Sequence, residues 1–367
     1  MEIRDKVLGP LPNPFLFADG RTVATAADWR ARREEILAQA VELEFGGMPP
    51  KPEFLTVEQI HFAGKGKMNS YRIHTGTRER PFSFVLQIHR PALDGRLPVV
   101  LTGDGCYTCC GDEVIAEAAR RGFIVAKFNR TEFAPDIYNS DRVSGIYLVY
   151  PEGHFSAISA WAWGYHRCMD ALEQMDFVDA SQVAITGHSR GGKTVLLAGA
   201  TDERFAYTNP NNSGAHGAGC YRYEQDESTP DAKDKRSEKL EDLVRAVPYW
   251  LGPRMKEYIG RETELPHDMH FFKALVAPRC LLQTEGRADT WGNPKGSYQT
   301  FMAAREVYRL LGAEKHIAAW YREGGHRHAL PDFCALFDFM EAMRGAKPLD
   351  PVFTTNPYPD MKPIYHF

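Results

Sequence analysis

The stretch VAITGHSRGGKTVLLAGA, residues 183–200, places Ser189 two residues from a glycine on each side, Gly187 and Gly191. An apolar run leads directly into this G-x-S-x-G pattern, and a helix-forming run follows it. This is the strand–turn–helix context of a nucleophile elbow, in which small neighbours let the backbone turn sharply and expose the serine oxygen. We therefore predict that Ser189 is a nucleophile. The alternative is that Ser189 only caps the N-terminus of the helix.

Two basic residues follow the serine in the first turn of the predicted helix. The backbone N–H of Arg190 lies at the positive end of the helix dipole, so we expect it to stabilise a developing oxyanion. Lys193 shares a helix face with Ser189. A cation in a first helical turn opposes the dipole, and such an exception to a local rule tends to mark a functional position. Lys193 is therefore expected to contact substrate; the alternative is that both cations pair with acids at the rim of the sheet.

Strands and helices alternate on both sides of the elbow. Strands alternating with helices of this length predict an α/β fold, with a mainly parallel central sheet in a three-layer α/β/α sandwich. The predicted strands of this core are LPVVLTG, FIVAKFNR, VAITG, APRCLLQTEG and HIAAWYREG. A capped helix of about five turns and the β-like runs FLTVEQIHF, SYRIHTG and FSFVLQIHRP precede them.

We predict a single domain over residues 1–367. The expected parts are an N-terminal helix and β extension (1–95), a catalytic core (96–215 and 271–346), a charge-rich rim insertion or lid (216–270) and a C-terminal tail (347–367).

A serine nucleophile needs a base and an acid, which α/β-hydrolases supply in the chain order serine, acid, histidine. His326 follows the last predicted strand on a glycine-rich loop, and we favour it as the base over His328. Asp289 follows the penultimate strand and is the favoured acid, because nearby Glu285 still lies within the strand-like run. His188 is expected to project away from the elbow. The sequence thus predicts a Ser189–His326–Asp289 triad.

The composition argues against several classes of protein. A net charge of −4, from 44 basic and 48 acidic side chains, indicates no nucleic-acid partner. No apolar run approaches the roughly 18 residues of a membrane helix. His216, or the pair His267 and His270, could in principle bind a metal, but no third ligand is evident for either. Neither a metal nor an organic cofactor is therefore expected.

The cysteines and the N-terminus bear on the cellular compartment. The sequence has seven cysteines, three of them in GCYTCC (residues 105–110), and free thiols are the expected state. Residues 1–20 lack a charged-then-apolar signal pattern. Either the protein stays in the cytoplasm, or it is secreted with a signal that this chain does not carry. The oligomeric state is left open.

Several motifs together resemble the glucuronoyl esterases of carbohydrate esterase family 15, within the α/β-hydrolase superfamily. GHSRGGK is similar to the family's G-C-S-R-x-G-K elbow, and the resemblance covers roughly residues 95–345. The other similar segments are AWAWGYHRCMDALE, NNSGAHGAGCYR, LPHDMHFFKALVAPR and DTW.

The resemblance implies cleavage of the ester between a glucuronic acid carboxyl on xylan and a lignin alcohol. It implies that Ser189 is the nucleophile, that Arg190 stabilises the oxyanion, and that Lys193 and Trp291 contact the uronate sugar. The loop GDGC (residues 103–106) lies where the superfamily often has its other oxyanion donor.

Two positions depart from the family pattern. Asn212 stands where many members carry a catalytic glutamate, so a working enzyme must use Asp289 as its acid. His188 stands in place of a cysteine, which removes the disulfide that some members form. The alternatives are an acetyl xylan or feruloyl-type esterase and, from another class, a non-catalytic carbohydrate-binding relative.

Overall fold

The computed structural model describes residues 5–138, 142–228 and 235–367 of the chain. Within these ranges a nine-stranded sheet carries helices on both faces, and a two-stranded sheet lies beside it. The strands are β1 (Lys6–Val7), β2 (Phe54–His61), β3 (Met68–Gly76), β4 (Pro81–His89), β5 (Leu97–Thr102), β6 (Ile124–Lys127), β7 (Val178–His188), β8 (Tyr207–Asn211), β9 (Tyr223–Glu224), β10 (Cys280–Gly286) and β11 (Ile317–Arg322). The helices are α1 (Ala26–Phe45), α2 (Asp112–Arg120), α3 (Ala157–Leu172), α4 (Arg190–Thr201), α5 (Leu240–Ala246), α6 (His270–Val276), α7 (Pro294–Leu310) and α8 (Leu330–Met343).

The strand order of the large sheet is β11-β10-β8-β7-β5-β6-β4-β3-β2. The six strands from β11 to β6 pair in parallel, and β4, β3 and β2 extend the sheet in antiparallel pairing. The prediction of a mainly parallel, helix-covered sheet is confirmed. The carboxyl ends of the parallel strands meet at one edge, and the loops leaving that edge lie close together.

The two faces of the sheet are buried by different helices. Helices α2 and α8 cover one face, and α3, α4, α6 and α7 cover the other. Helix α1 forms as predicted: a capping box between Thr25 and Asp28 begins it, and Gly46, in a left-handed conformation (φ 72°), ends it. Within the described ranges, no helix has both the length and the apolar character needed to cross a bilayer.

Strand β8 was not among the predicted strands, although it lies between β7 and β10 near the middle of the sheet. Its sequence, YTNPN, contains proline and asparagine, which are depleted in strands and typical of turns. Hydrogen bonds satisfy the buried amide of Asn209: its Nδ2 donates to the Leu282 carbonyl (2.7 Å), and its Oδ1 accepts from the Thr186 hydroxyl (2.7 Å). Tertiary contacts therefore override the local preference.

The described residues of the segment predicted as a rim insertion, 216–228 and 235–270, include Glu238, which contacts Lys193 of α4 and Trp291 in the loop after β10. Strand β9 pairs with β1, and Trp250 and Met255 are buried in the main core. Residues 229–234 of this segment lie outside the described residues.

Candidate active site

Ser189 lies on a sharp turn between β7 and α4. Its backbone has φ 55° and ψ −118°, a combination that L-residues adopt only under strain. The turn needs glycine at Gly187, because a Cβ there would lie 2.5 Å from the Gly191 carbonyl oxygen. Ser189 occupies the N-cap position of α4, yet its side chain makes no capping hydrogen bond. The hydroxyl is therefore not used to cap the helix.

A buried aspartate, Asp104, is hydrogen-bonded to the backbone of the elbow. Asp104, in the loop after β5, accepts a hydrogen bond from the His188 backbone N–H to Oδ2 (2.7 Å), and its Oδ1 pairs with the Arg130 guanidinium. Arg130 is itself fully buried. A side chain at Gly191 would collide with the Asp104 carboxylate. This role of Asp104 was not predicted. The available signal is an acidic residue two positions past the carboxyl end of a buried parallel strand.

His326 and Asp289 meet at the same edge of the sheet. His326 Nδ1 lies 2.7 Å from Asp289 Oδ2, and the imidazole is 40% exposed whereas the carboxylate is 3% exposed. Two other donors reach the carboxylate: Asn212 Nδ2 to Oδ2 (2.7 Å) and the Gly292 N–H to Oδ1 (3.1 Å). Burial raises the pKa of Asp289, but the hydrogen bonds and the facing imidazole outweigh burial and hold the pKa below its usual value.

His328 occupies a different environment. Its ring is buried and stacks on Phe333 with a centroid distance of 4.0 Å, and neither ring nitrogen has a hydrogen-bond partner among the described residues. Burial holds the pKa of His328 well below its usual value. The structure brings His326, and not His328, to Asp289.

The expectation that His188 projects away from the site is wrong. Its ring packs against the ring of His326 with a centroid distance of 4.5 Å. His188 Nδ1 lies 2.7 Å from Asn211 Oδ1, at the end of β8. Burial, with the nearby His326, lowers the pKa of His188 to about 4, so the ring is neutral at pH 7. His188 is the last residue of β7, and its side chain faces the loop that carries His326.

The loop that carries His326 is wrapped around an ion pair. Arg322 Nε contacts Asp332 Oδ1 (2.9 Å), and the guanidinium also donates to the carbonyls of Gly325 (3.1 Å) and Arg327 (2.5 Å). Asn211 Nδ2 donates to the same aspartate oxygen (3.1 Å). The loop is thus tied to β8 as well as to α8.

Both cations of the first helical turn are paired with acids. Arg190 contacts Asp136 (2.8 Å), and Lys193 contacts Glu238 (2.7 Å) and the Ala215 carbonyl. Burial lowers the pKa of Lys193, and the charge of Glu238 opposes that effect. Arg190 and Lys193 therefore both form the ion pairs with rim acids that the alternative interpretation predicts. An ammonium has three N–H donors, and two are used among the described residues, so one is left for another acceptor.

Glu238 and Trp291 extend the site toward solvent. The Glu238 N–H donates to the Trp291 carbonyl (3.0 Å), and the Trp291 side chain is 44% exposed. Arg190 and Lys193 lie over the ring of Trp250, at 4.8 and 5.9 Å from its centroid. Glu238 was not predicted as a site residue, because it lies in the charge-rich insertion 45 residues after its partner Lys193 and no local motif marks it.

The seven cysteines are free thiols. Among the described residues, no group of three or more histidine, cysteine, aspartate or glutamate side chains has the geometry of a metal site. His216 and His267 instead contact opposite oxygens of the buried Glu44 carboxylate, at 2.5 and 2.8 Å.

The fold and the site together define an α/β-hydrolase. The sheet is mainly parallel, a serine lies on a strained strand–helix turn, and an aspartate–histidine pair lies on two neighbouring loops. Comparison with known proteins places the chain more narrowly. A family model described as "Glucuronyl esterase, fungi" matches residues 73–312. The chain therefore belongs to the glucuronoyl esterase family, whose members are carboxylic-ester hydrolases, and the resemblance of its motifs to this family is confirmed.

Individual relatives agree with the family assignment. The 4-O-methyl-glucuronoyl methylesterase 1 of Wolfiporia cocos is 32% identical over 331 residues, which cover 88% of this chain and 77% of that protein. The enzyme of the same name from Phanerochaete chrysosporium is 32% identical, with coverage of 88% and 66%.

Solved structures of the family share the fold. A carbohydrate esterase family 15 glucuronoyl esterase from Caldicellulosiruptor kristjansonii has a TM-score of 0.85 and 28% identity, covering 98% of this chain and 96% of that one. A glucuronoyl esterase variant from Sporotrichum thermophile, in complex with methyl 4-O-methyl-beta-D-glucopyranuronate, has a TM-score of 0.76 and 25% identity, with coverage of 92% and 88%.

Proposed function

We propose that the protein hydrolyses esters of a glucuronic acid carboxyl, as carried by plant cell-wall polysaccharide, with Ser189, His326 and Asp289 as its catalytic triad. The observation that carries this proposal is the 2.7 Å contact between His326 and Asp289 at the sheet edge where Ser189 lies on its strained turn. The names of the relatives supply the uronate class of substrate.

The reaction proceeds through an acyl-enzyme. The Ser189 oxygen attacks the ester carbon while His326 Nε2 takes the hydroxyl proton, and Asp289 holds the opposite ring nitrogen and stabilises the imidazolium. The tetrahedral intermediate collapses, and His326 returns the proton to the departing alcohol. Water, activated by the same imidazole, then attacks the acyl-enzyme and releases the uronic acid and free serine.

The oxyanion is stabilised at the N-terminus of α4. The backbone N–H of Arg190 points from the first turn of the helix, where the helix dipole favours negative charge. One donor of this kind contributes about 10²–10³ in rate. The Arg190 side chain is held over Trp250 by Asp136, so it brings a positive charge to the same rim.

The sugar is bound by Lys193, Glu238 and Trp291. The remaining N–H of Lys193 donates to a sugar hydroxyl, and the Glu238 carboxylate accepts from one. The exposed indole of Trp291 offers an apolar face to the ring. The side chains of Lys193 and Glu238 are buried, so their hydrogen bonds to the sugar form away from water, where they are stronger than in solution.

The test is the hydrolysis rate of the benzyl ester of glucuronic acid by the intact protein. Ser189→Ala is expected to abolish turnover, and Ser181→Ala, a matched substitution at the exposed start of β7, to leave it unchanged. Turnover that persists in Ser189→Ala would refute the proposed mechanism.

Two further outcomes separate the alternative functions. Turnover of an aryl acetate without turnover of the benzyl uronate would identify an acetyl-type esterase. Binding of a uronate sugar with no turnover of either ester would identify a non-catalytic carbohydrate-binding relative.

A further inference from the structure

Asn212 combines two local features that cost stability. It follows β8 with a left-handed backbone (φ 43°), which non-glycine residues adopt infrequently, although asparagine tolerates it better than most. Its side chain is buried, and Oδ1 has no hydrogen-bond partner among the described residues. A buried carbonyl without a partner costs free energy. Unfavourable features concentrated at one residue tend to mark a function.

The amide nitrogen of Asn212 shows what that function is. Nδ2 donates to Asp289 Oδ2 at 2.7 Å, and the same oxygen lies 2.7 Å from His326 Nδ1. The amide orientation is fixed by its partner, because the carbonyl oxygen turned toward a carboxylate would place two acceptors together. The backbone is fixed as well, since the Asn212 N–H donates to the Thr284 carbonyl of β10 (3.0 Å).

We propose that Asn212 is a positioning residue for the triad acid: its amide fixes the Asp289 carboxylate against His326. This inference rests on the proposed function, because it assigns a role within the same triad. The side-chain amide and the Gly292 N–H hold one carboxylate oxygen each, so the carboxylate has a single orientation. A hydrogen bond to a charged acceptor is roughly twice as strong as a neutral one.

The surroundings of Asp289 make the loss of this donor measurable. The titratable groups that act on its charge are His326, His188, Lys193 and Glu285. Without the Asn212 donor the negative charge of Asp289 is less satisfied, and a nearby imidazolium becomes more favourable. The acid limb of the kcat/KM profile is then expected to move to higher pH.

Two substitutions separate this role from a purely structural one. Asn212→Gly removes the amide while accepting the left-handed backbone without strain. Asn212→Asp keeps the shape and the tolerance for that backbone but places a second acid against Asp289. Both are expected to lower kcat by about tenfold with little change in KM, the factor that one hydrogen bond to a charged group supplies. Asn212→Asp is also expected to shift the acid limb upward by more than Asn212→Gly.

The assay is hydrolysis of the benzyl uronate across pH 5–9, with thermal unfolding of each variant to establish that it is folded. If both variants keep the wild-type kcat and acid limb, Asn212 serves only the backbone turn and the proposal is wrong. The Ser189→Ala control keeps this outcome distinct from failure of the proposed function. Turnover that survives Ser189→Ala rejects the triad itself, whatever the Asn212 variants do.

Discussion

Replacement of Asp289 by asparagine tests the proposed triad most directly, because it changes the charge of the side chain and almost nothing of its shape. In the wild-type protein Oδ2 faces two donors, His326 Nδ1 and Asn212 Nδ2, each at 2.7 Å, and Oδ1 faces the Gly292 N–H at 3.1 Å. An amide presents only one acceptor. If its oxygen takes the Oδ2 position, its NH₂ group faces the Gly292 N–H; if it is reversed, the NH₂ group faces two donors and drives His326 into the wrong tautomer.

Either arrangement removes the negative charge that stabilises the imidazolium. The corresponding change in serine proteases lowers kcat by about 10⁴, and at about 1.36 kcal/mol per tenfold this is a barrier increase of about 5 kcal/mol. We expect Asp289→Asn to lower kcat on the benzyl uronate by about 10³–10⁴ with little change in KM. A double variant with Ser189→Ala is expected to be no slower than Ser189→Ala alone, because the triad acts as a unit.

Glu285→Gln is the matched control for this experiment. Glu285 precedes Asp289 by four residues and is fully buried at the end of β10, so its substitution probes the same neighbourhood. We expect its kcat to stay within about threefold of wild type, because an acid held in its neutral form is close in shape and charge to glutamine. An Asp289→Asn variant within tenfold of wild-type kcat would refute the reasoning. A large loss in Glu285→Gln with Asp289→Asn near wild type would move the acid to Glu285.

Four further substitutions probe side chains around the site and in the core. His328→Phe should keep kcat within about threefold of wild type. Below pH 6.5 the His328 ring takes up a proton in the unfolded chain but not in the folded protein, because burial lowers its pKa. The free energy of unfolding should therefore fall less with decreasing pH in the variant than in wild type. His188→Ala should lower kcat about tenfold at unchanged KM, since it removes the ring packed on the base; equal kcat would refute that role. Lys193→Met should raise KM for uronate esters about tenfold and leave KM for an aryl acetate unchanged. Glu44→Gln should lower the free energy of unfolding at pH 7 by about 3–5 kcal/mol, because it breaks the buried pairing with His216. The facing histidines hold the pKa of Glu44 below its usual 4.5 despite burial, so this difference should shrink in denaturant titrations as the pH falls below 4.5.

Much of this molecule could be predicted from local sequence because local and tertiary preferences agree there. The predicted strands from FLTVEQIHF to HIAAWYREG form, and the helix opened by Thr25 begins and ends at its caps. The positions of Ser189, Asp289 and His326 follow from one rule, that the carboxyl ends of parallel strands share an edge. Each of the three residues needed only a strand boundary, and strand boundaries next to glycine are well marked in this chain.

The features that were not predicted share a different cause: each depends on contacts between residues that are far apart in the sequence. Strand β8 is polar and contains a proline, so only its place between β7 and β10 makes it a strand. Glu238 acts through Lys193, and Asp104 acts through a backbone N–H 84 residues away. His188 packs against His326 and Asn211, which are distant in the sequence. None of these properties can be predicted from the neighbouring residues in the sequence.

Glu285 and Asp289 show what the structure adds to sequence spacing. Both acids lie near the end of β10, within four residues of each other, and the end of the strand favours Asp289 because Glu285 still lies within it. Burial separates them. Burial and the charge of Asp289 raise the pKa of Glu285 to about 8, and they outweigh the opposing effects of Lys273 and Ser297. Asp289 instead lies past the strand, where three donors compensate for its burial and hold its pKa low. An acid that supports an imidazolium at neutral pH must be ionised there, and of these two only Asp289 has the donors that keep it so.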